Sequence, residues 1–315
     1  MAGHLDAHAK PPAKLREVYK DFHKLKASSL DKSPDLIQFD NAGETTNNRL
    51  KVTICMLPFP SINLNQVGLL IYPRLLSPSV QLLLLGRLLH RDLSNPQHQT
   101  NVHMHYRMPY PPSEKDENAS FFHDAAGDLC WSPKDPDIHK AFDIKQFLNK
   151  KLRWTTLGGQ YDWTNKIYPE GAPPAFPQDI KRLVEDVFPM KAEAAIVNLY
   201  SPGDTLSLHR DVSEECNRPL ISISLGCDAI FICGLEPKGG GAPRVATIRL
   251  RSGDAVLMSG ESRYAWHGVP QVVPDTCPTW MQDWPATSDV GQDFEHWRGW
   301  MKGKRVNLNV RQMFA

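Results

Sequence analysis

From Lys191 onward, apolar and polar residues alternate in short runs bounded by turn residues, the pattern of half-buried strands. Eight runs can be read: Ala194–Tyr200, Thr205–Asp211, Leu220–Gly226, Ala229–Gly234, Arg244–Leu250, Asp254–Ser259, Tyr264–Val269 and Arg305–Arg311. Pro202-Gly203-Asp204, Gly239-Gly240-Gly241 and Ser252-Gly253-Asp254 punctuate them as turns. Upstream the texture differs. Residues 1–50 are polar, with one helix predicted over Ala13–Lys26. Ser77-Pro78 reads as an N-cap followed by proline at the first helical position, launching a Leu-rich helix to about Leu93. Ser94 to Pro136 has no period and reads as loop, and a further helix is predicted near Asp179–Val187. Eight strands at this spacing fit a double-stranded jelly roll. The fold class expected is therefore α+β, a double-stranded β-helix (jelly-roll) core with an N-terminal helical extension.

The last two predicted strands are separated by Pro270 to Gly303, too long for a turn and holding Trp280, Trp284, Trp297 and Trp300. A helix is predicted there over Gln292–Met301. The segment reads either as a functional lid or as a packed cover over one sheet.

With 315 residues and 41% hydrophobic content, the chain can bury a large core. A net charge of +1 gives no global nucleic-acid signature. Basic residues do cluster locally, at Lys145, Lys150, Lys151 and Arg153 and again at Arg298, Lys302, Lys304 and Arg305. The six cysteines form no C-x-x-C pair, which reads as reduced thiols in an intracellular protein. No apolar run approaches the about 18 residues of a membrane span. The N-terminus lacks an apolar signal core, and Asp6 and Glu17 argue against a transit peptide. Cytoplasm or nucleus is expected, with the mitochondrion left open.

Three His-x-Asp triplets occur, and such a triplet is a weak pattern by itself. His4-Leu5-Asp6 lies in the polar N-terminus. His90-Arg91-Asp92 lies in a predicted helix, where positions i and i+2 point to nearly opposite sides. It also mimics a kinase catalytic loop, but no Gly-rich phosphate loop or Asp-Phe-Gly accompanies it. His103-Met104-His105 lacks partner ligands. In His209-Arg210-Asp211 the two outer residues end a predicted strand, so both project from one face. With His267 they form a two-histidine, one-carboxylate set of the kind that holds non-haem Fe(II) and leaves positions open for co-substrate and O2. The final strand sets Arg305, Asn307, Asn309 and Arg311 on one face against Val306, Leu308 and Val310 on the other. If the polar face lines the barrel, its guanidinium groups need anionic partners, which a dicarboxylate such as 2-oxoglutarate supplies bidentately.

Taken in order, Asn198-Leu199-Tyr200-Ser201-Pro202-Gly203-Asp204-x-Leu-x-Leu-His209-x-Asp211, Pro219-Leu220-x-Ser-x-Ser-Leu-Gly226, Ser259-Gly260-Glu261-Ser262-Arg263 before His267, and Arg305-x-Asn-x-x-x-Arg311 resemble the AlkB family. The ending and Leu152-Arg153-Trp154 look closest to the AlkB-homologue-one subfamily. The resemblance is close over residues 150–315. It implies an extension at 1–150 that packs on a dioxygenase core at 151–315. Within that core, 151–190 would recognise the nucleotide and 270–303 would be an insertion. It implies His209, Asp211 and His267 as iron ligands, Arg305 on the distal carboxylate of 2-oxoglutarate and Arg311 near the metal-proximal one. Asn198, Tyr200 and Asn307 would make further 2-oxoglutarate contacts. Trp154 and Tyr161 would face the target base.

The reaction implied is oxidative demethylation of a base in nucleic acid, either tRNA 1-methyladenine or DNA N6-methyladenine. It would use Fe(II), 2-oxoglutarate and O2 and release formaldehyde, succinate and CO2. A base in a duplex would have to be flipped out. Two departures touch the substrate: Ser213 stands where the bacterial pattern has a second acid near the base, and the segment between His267 and Arg305 is longer. A protein (histone) hydroxylase or demethylase on the same iron centre is the alternative within the chemistry. A catalytically silent nucleic-acid-binding module is the alternative outside it. Oligomeric state has no signal in the sequence.

Overall fold

The alternating runs become eight strands: β1 (Ala194–Tyr200), β2 (Leu206–His209), β3 (Leu220–Gly226), β4 (Ala229–Leu235), β5 (Arg244–Leu250), β6 (Ala255–Met258), β7 (Trp266–Val272) and β8 (Arg305–Arg311). This is a computed structural model, and it describes residues 5–6, 8–39, 44–45, 50–55, 68–111, 119–165, 167–169, 171–237, 241–286 and 292–314. Gly239 and Gly240 of the predicted turn lie outside these residues, as does His4 of the first triplet.

Strands β6, β3, β8 and β1 lie side by side in one sheet, and β5, β4, β7 and β2 in the other. Every pair of neighbours among the eight is antiparallel. The chain therefore crosses from sheet to sheet at nearly every turn, which is jelly-roll topology. Residues of both sheets, Ile223, Leu225, Phe231, Ile248, Val256 and Leu308 among them, join one hydrophobic core.

Short upstream segments widen both sheets. Leu69–Tyr72 pairs antiparallel with β6, Val52–Ile54 pairs parallel with Leu69–Tyr72, and Trp154–Gly158 pairs antiparallel with β1. Leu36–Ile37 runs parallel to β5. Helix α1 (Ala13–Lys24) turns Leu15 and Phe22 onto the second sheet, where they meet Ile230, Ile232 and Trp266. Helix α2 (Pro78–Gly86) starts as predicted: the Ser77 hydroxyl accepts from the Val80 amide and Pro78 occupies the first turn. The helix widens to a π-type turn over Arg87–Asp92 and buries Leu84, Leu85, Leu88 and Leu89. At about 1.5–3 kcal/mol each, these leucines anchor the extension to the core. Helix α3 (Gln178–Glu185) falls at the predicted place.

Two local expectations are corrected. The helix expected over Gln292–Met301 is two 3-10 turns, Gln292–Trp297 and Trp300–Gly303. Gly299 breaks them apart at φ 81°, a left-handed conformation that ends a helix. The strand expected over Thr205–Asp211 stops at His209, so Asp211 sits in the irregular chain beyond it. Between the two readings of 270–303, the described residues form a cover. Trp284 and Trp300 are buried edge-on against Phe122, and Trp297 packs on Phe122 as well. Trp280 alone of the four tryptophans is exposed.

Candidate active site

Strand register brings the two histidines together. His209, the last residue of β2, lies opposite His267 near the start of β7, and their ring centroids are 4.3 Å apart. Gly268 makes this approach possible, because a Cβ there would come within 2.7 Å of the Leu206 carbonyl on the facing strand. Each ring donates its Nδ1–H to the carbonyl two residues before it, His209 to Ser207 at 2.9 Å and His267 to Ala265 at 3.0 Å. With Nδ1 protonated, both Nε2 atoms carry lone pairs, and both face Asp211, at 3.6 Å and 3.9 Å. Burial, with His209 beside it, pushes His267 down to about 4, so its ring is neutral.

The carboxylate of Asp211 is itself held. Burial works against its charge, but Arg311, 2.6 Å from one carboxylate oxygen, keeps it well below the usual carboxylate range with help from the histidines. Arg311 also pairs with Glu214 at 3.1 Å, and Glu214 in turn pairs with Arg263 at 2.8 Å. Arg263 closes the circuit by donating to the Asp211 backbone carbonyl at 2.9 Å. Two guanidinium groups and two carboxylates therefore compensate one another in a buried network around a single aspartate.

The polar face of β8 points into the barrel. Arg305, only 1% exposed, donates to the Ser224 hydroxyl at 3.0 Å. Its Nε and Nη1 are buried with no hydrogen-bond partner among the described residues. Burial lowers its basicity. Tyr200, opposite Arg305 in the ladder, likewise has a buried hydroxyl without a partner. Asn307 sits across from Asn198 and donates to Ser222 and to the Ile223 carbonyl, both at 2.9 Å, while its own carbonyl accepts from Asn309.

All but two of the sequence-predicted site residues line one cavity of about 270 Å³: His209, Asp211, His267, Asn198, Arg305, Asn307, Arg311, Tyr161 and Ser213. The Tyr161 and Ser213 hydroxyls are 3.2 Å apart at its mouth. Tyr200 lies behind the wall, beside Arg305. Trp154 opens instead onto a neighbouring cavity, packed against Trp163 at 4.9 Å. Two of the three motifs set aside do other work. His90 packs among Trp284, Phe122 and Phe294, and Asp92 pairs with Arg91. His103 caps its own turn through Thr100 and contacts the Tyr110 hydroxyl. Trp163 and Tyr168 line the mouth but had no signal in spacing or type. Ser222, Ser224 and Arg263 stood inside quoted motifs without a role, and Glu214 stood outside them.

These residues fit an Fe(II) centre and a dicarboxylate. His209, Asp211 and His267 form the metal-ligand cluster found among the described residues, each offering an atom within 4.8 Å of the other two. The unpartnered guanidinium nitrogens of Arg305 need a desolvated anion.

The comparisons with known proteins agree with this geometry. A model of the 2OG-Fe(II) oxygenase superfamily matches residues 68–311. The chain is 51% identical over 265 residues to an N6-methyladenosine RNA demethylase of Pyricularia oryzae, spanning 78% of this chain and 74% of that one. It is 50% identical over 224 residues to an N6-methyladenosine RNA demethylase of Cryphonectria parasitica, spanning 67% and 99%. To a tRNA demethylase of Schizosaccharomyces pombe it is 38% identical over 255 residues, spanning 78% and 79%.

Proposed function

The chain belongs to the 2OG-Fe(II) oxygenase superfamily and, within it, to the AlkB family, and on that premise we propose that it removes the methyl group from N-methylated adenine in RNA. It is an oxidoreductase that uses Fe(II), 2-oxoglutarate and O2. The observation that carries the reading is Arg305, a buried guanidinium with two unpaired nitrogens in the same cavity as a His-Asp-His cluster. Relatives whose names specify N6-methyladenosine RNA or tRNA support RNA as the substrate over most of the chain's length.

In this reading His209, Asp211 and His267 would hold the iron, and Arg305 would bind the distal carboxylate of 2-oxoglutarate beside Asn198 and Asn307. When bound, Fe(II) with 2-oxoglutarate and O2 supplies the oxidation that hydroxylates the N-methyl carbon, and the resulting hemiaminal loses formaldehyde. The residues around it do the positioning. The carbonyls of Ser207 and Ala265 fix both imidazole tautomers, and Arg311 and Arg263 hold Asp211 in place. Phe231, Leu250 and Met258 exclude water from the inner wall. Tyr161, Tyr168 and Ser213 form a mouth at which an unstacked base meets rings and hydroxyls.

The test is nucleoside mass spectrometry on RNA carrying N6-methyladenosine or 1-methyladenosine and on DNA carrying N6-methyladenine. Each is incubated with protein, Fe(II), ascorbate and 2-oxoglutarate, with the His209→Ala protein alongside. Loss of a methylated adenosine from RNA that needs both 2-oxoglutarate and His209 is expected. Consumption of 2-oxoglutarate with every methyl intact would move the substrate to protein, and demethylation confined to DNA would overturn the RNA assignment.

A further inference from the structure

Beside the catalytic cavity lies a second one, of about 560 Å³, which shares Tyr161 and Trp163 with it. Part of its wall comes from the extension, with Thr100, Met104, Arg107 and Lys134, and the rest from Trp154 and the loop that carries Asp162 and Thr164. We propose that this cavity is a subsite for the nucleotide next to the target base, which stacks on the exposed face of Trp163 while its phosphate meets Arg107 and Lys134.

The proposal rests on the nucleic-acid reading above, but its own observations are separate. Trp163 is 39% exposed although it is a large aromatic residue, and it is held at 4.9 Å from Trp154 and edge-on to Tyr161 at 4.9 Å. A ring fixed from behind with one face open is a stacking platform, which accepts any base because every base has a π-face. Charge is complementary to a phosphodiester. Arg107 and Lys134 are exposed on the wall, and Lys134 is steadied by donating to the His103 carbonyl at 2.6 Å. The acid on the same wall, Asp162, is turned onto its own loop, where it accepts from Thr164 and Asn165. Trp163 and Tyr161 belong to both cavities, so a strand whose target base enters the first passes these rings and delivers its neighbour to the second. This assigns a function to the extension loop around residues 100–107, whose bonds to Trp154 and Thr156 hold it at the rim.

The experiment compares steady-state demethylation of a methylated RNA pentanucleotide, of the same pentanucleotide with an abasic spacer on either side of the methylated adenosine, and of the methylated mononucleotide. Wild type is set against the Arg107→Ala/Lys134→Ala protein. An abasic spacer on one side should raise KM about tenfold with kcat unchanged, the loss expected for one stacked base. The double variant should raise KM for the intact pentanucleotide to a similar degree and leave mononucleotide turnover unchanged. Equal KM values for both proteins, or no effect of a spacer on either side, would overturn the subsite. If no nucleic acid is demethylated at all, the functional reading falls by itself. The subsite is then judged by fluorescence anisotropy with unmethylated pentanucleotide, where about tenfold weaker binding by the double variant supports it and equal affinity refutes it.

Discussion

Replacing Arg305 with Met separates a ligand-binding cation from a structural one, because the two roles change stability in opposite ways. The guanidinium is 1% exposed, has one hydroxyl partner, and buries two nitrogens without any among the described residues. Before ligand binds, an unpaired buried cation is a liability, so an apolar side chain of similar length should leave Tm unchanged or raise it. Once 2-oxoglutarate is present, the variant lacks one partner of a buried charge pair, which costs about 2–5 kcal/mol, or roughly 30-fold to several-thousand-fold in affinity. Ligand at 100 times its Kd stabilises a protein by about 2.7 kcal/mol. At about 2.1 cal/mol/K per residue, the 315 residues give an unfolding entropy near 0.66 kcal/mol/K, so wild type should gain about 4 °C. At the same 2-oxoglutarate concentration the variant should gain about 1 °C or less. The assay is a thermal shift with Fe(II) under nitrogen, repeated with 2-oxopentanoate, which lacks the distal carboxylate. Wild type should prefer 2-oxoglutarate and the variant should not distinguish the two. An unliganded Tm that drops by many degrees, with the 4 °C shift and the preference intact, would refute the argument and make Arg305 structural.

Three further outcomes are expected. His209→Ala should abolish turnover and weaken Fe(II) binding in anaerobic calorimetry, and turnover near wild type would remove His209 from the metal site. Glu214→Gln strips a carboxylate from Arg263 and Arg311 where both partners are at most 6% exposed, and should lower unfolding free energy by about 3–5 kcal/mol in denaturant titrations. A loss below about 1 kcal/mol would show that water reaches the network. Burial among Phe122, Trp284 and Phe294 pushes His90 down to about 4 from 6.5, so only the unfolded chain takes up its proton between those values. Stability should then fall as pH drops from 6.5 toward 4, by up to about 3 kcal/mol. His90→Phe should flatten that window in thermal melts, and matching pH profiles for both proteins would contradict it.

What could be read in the sequence was whatever follows from a strict period. Strands β1, β3, β5 and β8 begin and end at their predicted residues, because one wall of each faces the core and alternation records that. The polar face of β8 was legible for the same reason, and the structure places it inside the barrel. The short segments Leu36–Ile37 and Val52–Ile54 were not, since two or three residues hold too little pattern to separate a strand from a loop. Tertiary packing overrode the helical reading of Gln292–Met301, where Gly299 bends the chain so that Trp297 and Trp300 both reach Phe122. At the site, residue type and spacing singled out His209, Asp211, His267, Arg305 and Arg311, which the structure brings to one cavity. They were silent on the groups that hold those residues. Glu214 and Arg263 meet only because separate loops converge on Asp211, and nothing local to either residue announces its partner.

The aromatic knot formed by His90, Phe122, Trp284 and Trp300 joins stretches that lie far apart along the chain, one ahead of the jelly roll and one inserted between its last two strands. Neither stretch buries its rings alone. A fragment cut down to residues 151–315 would keep the His209-Asp211-His267 cluster and Arg305 yet present Trp284, Trp297 and Trp300 to water as a sticky patch. The catalytic half is therefore not a free-standing unit of inheritance. Lineages that trim the leading arm should also shorten the late insertion, and recombinants that take one without the other should precipitate rather than merely lose activity.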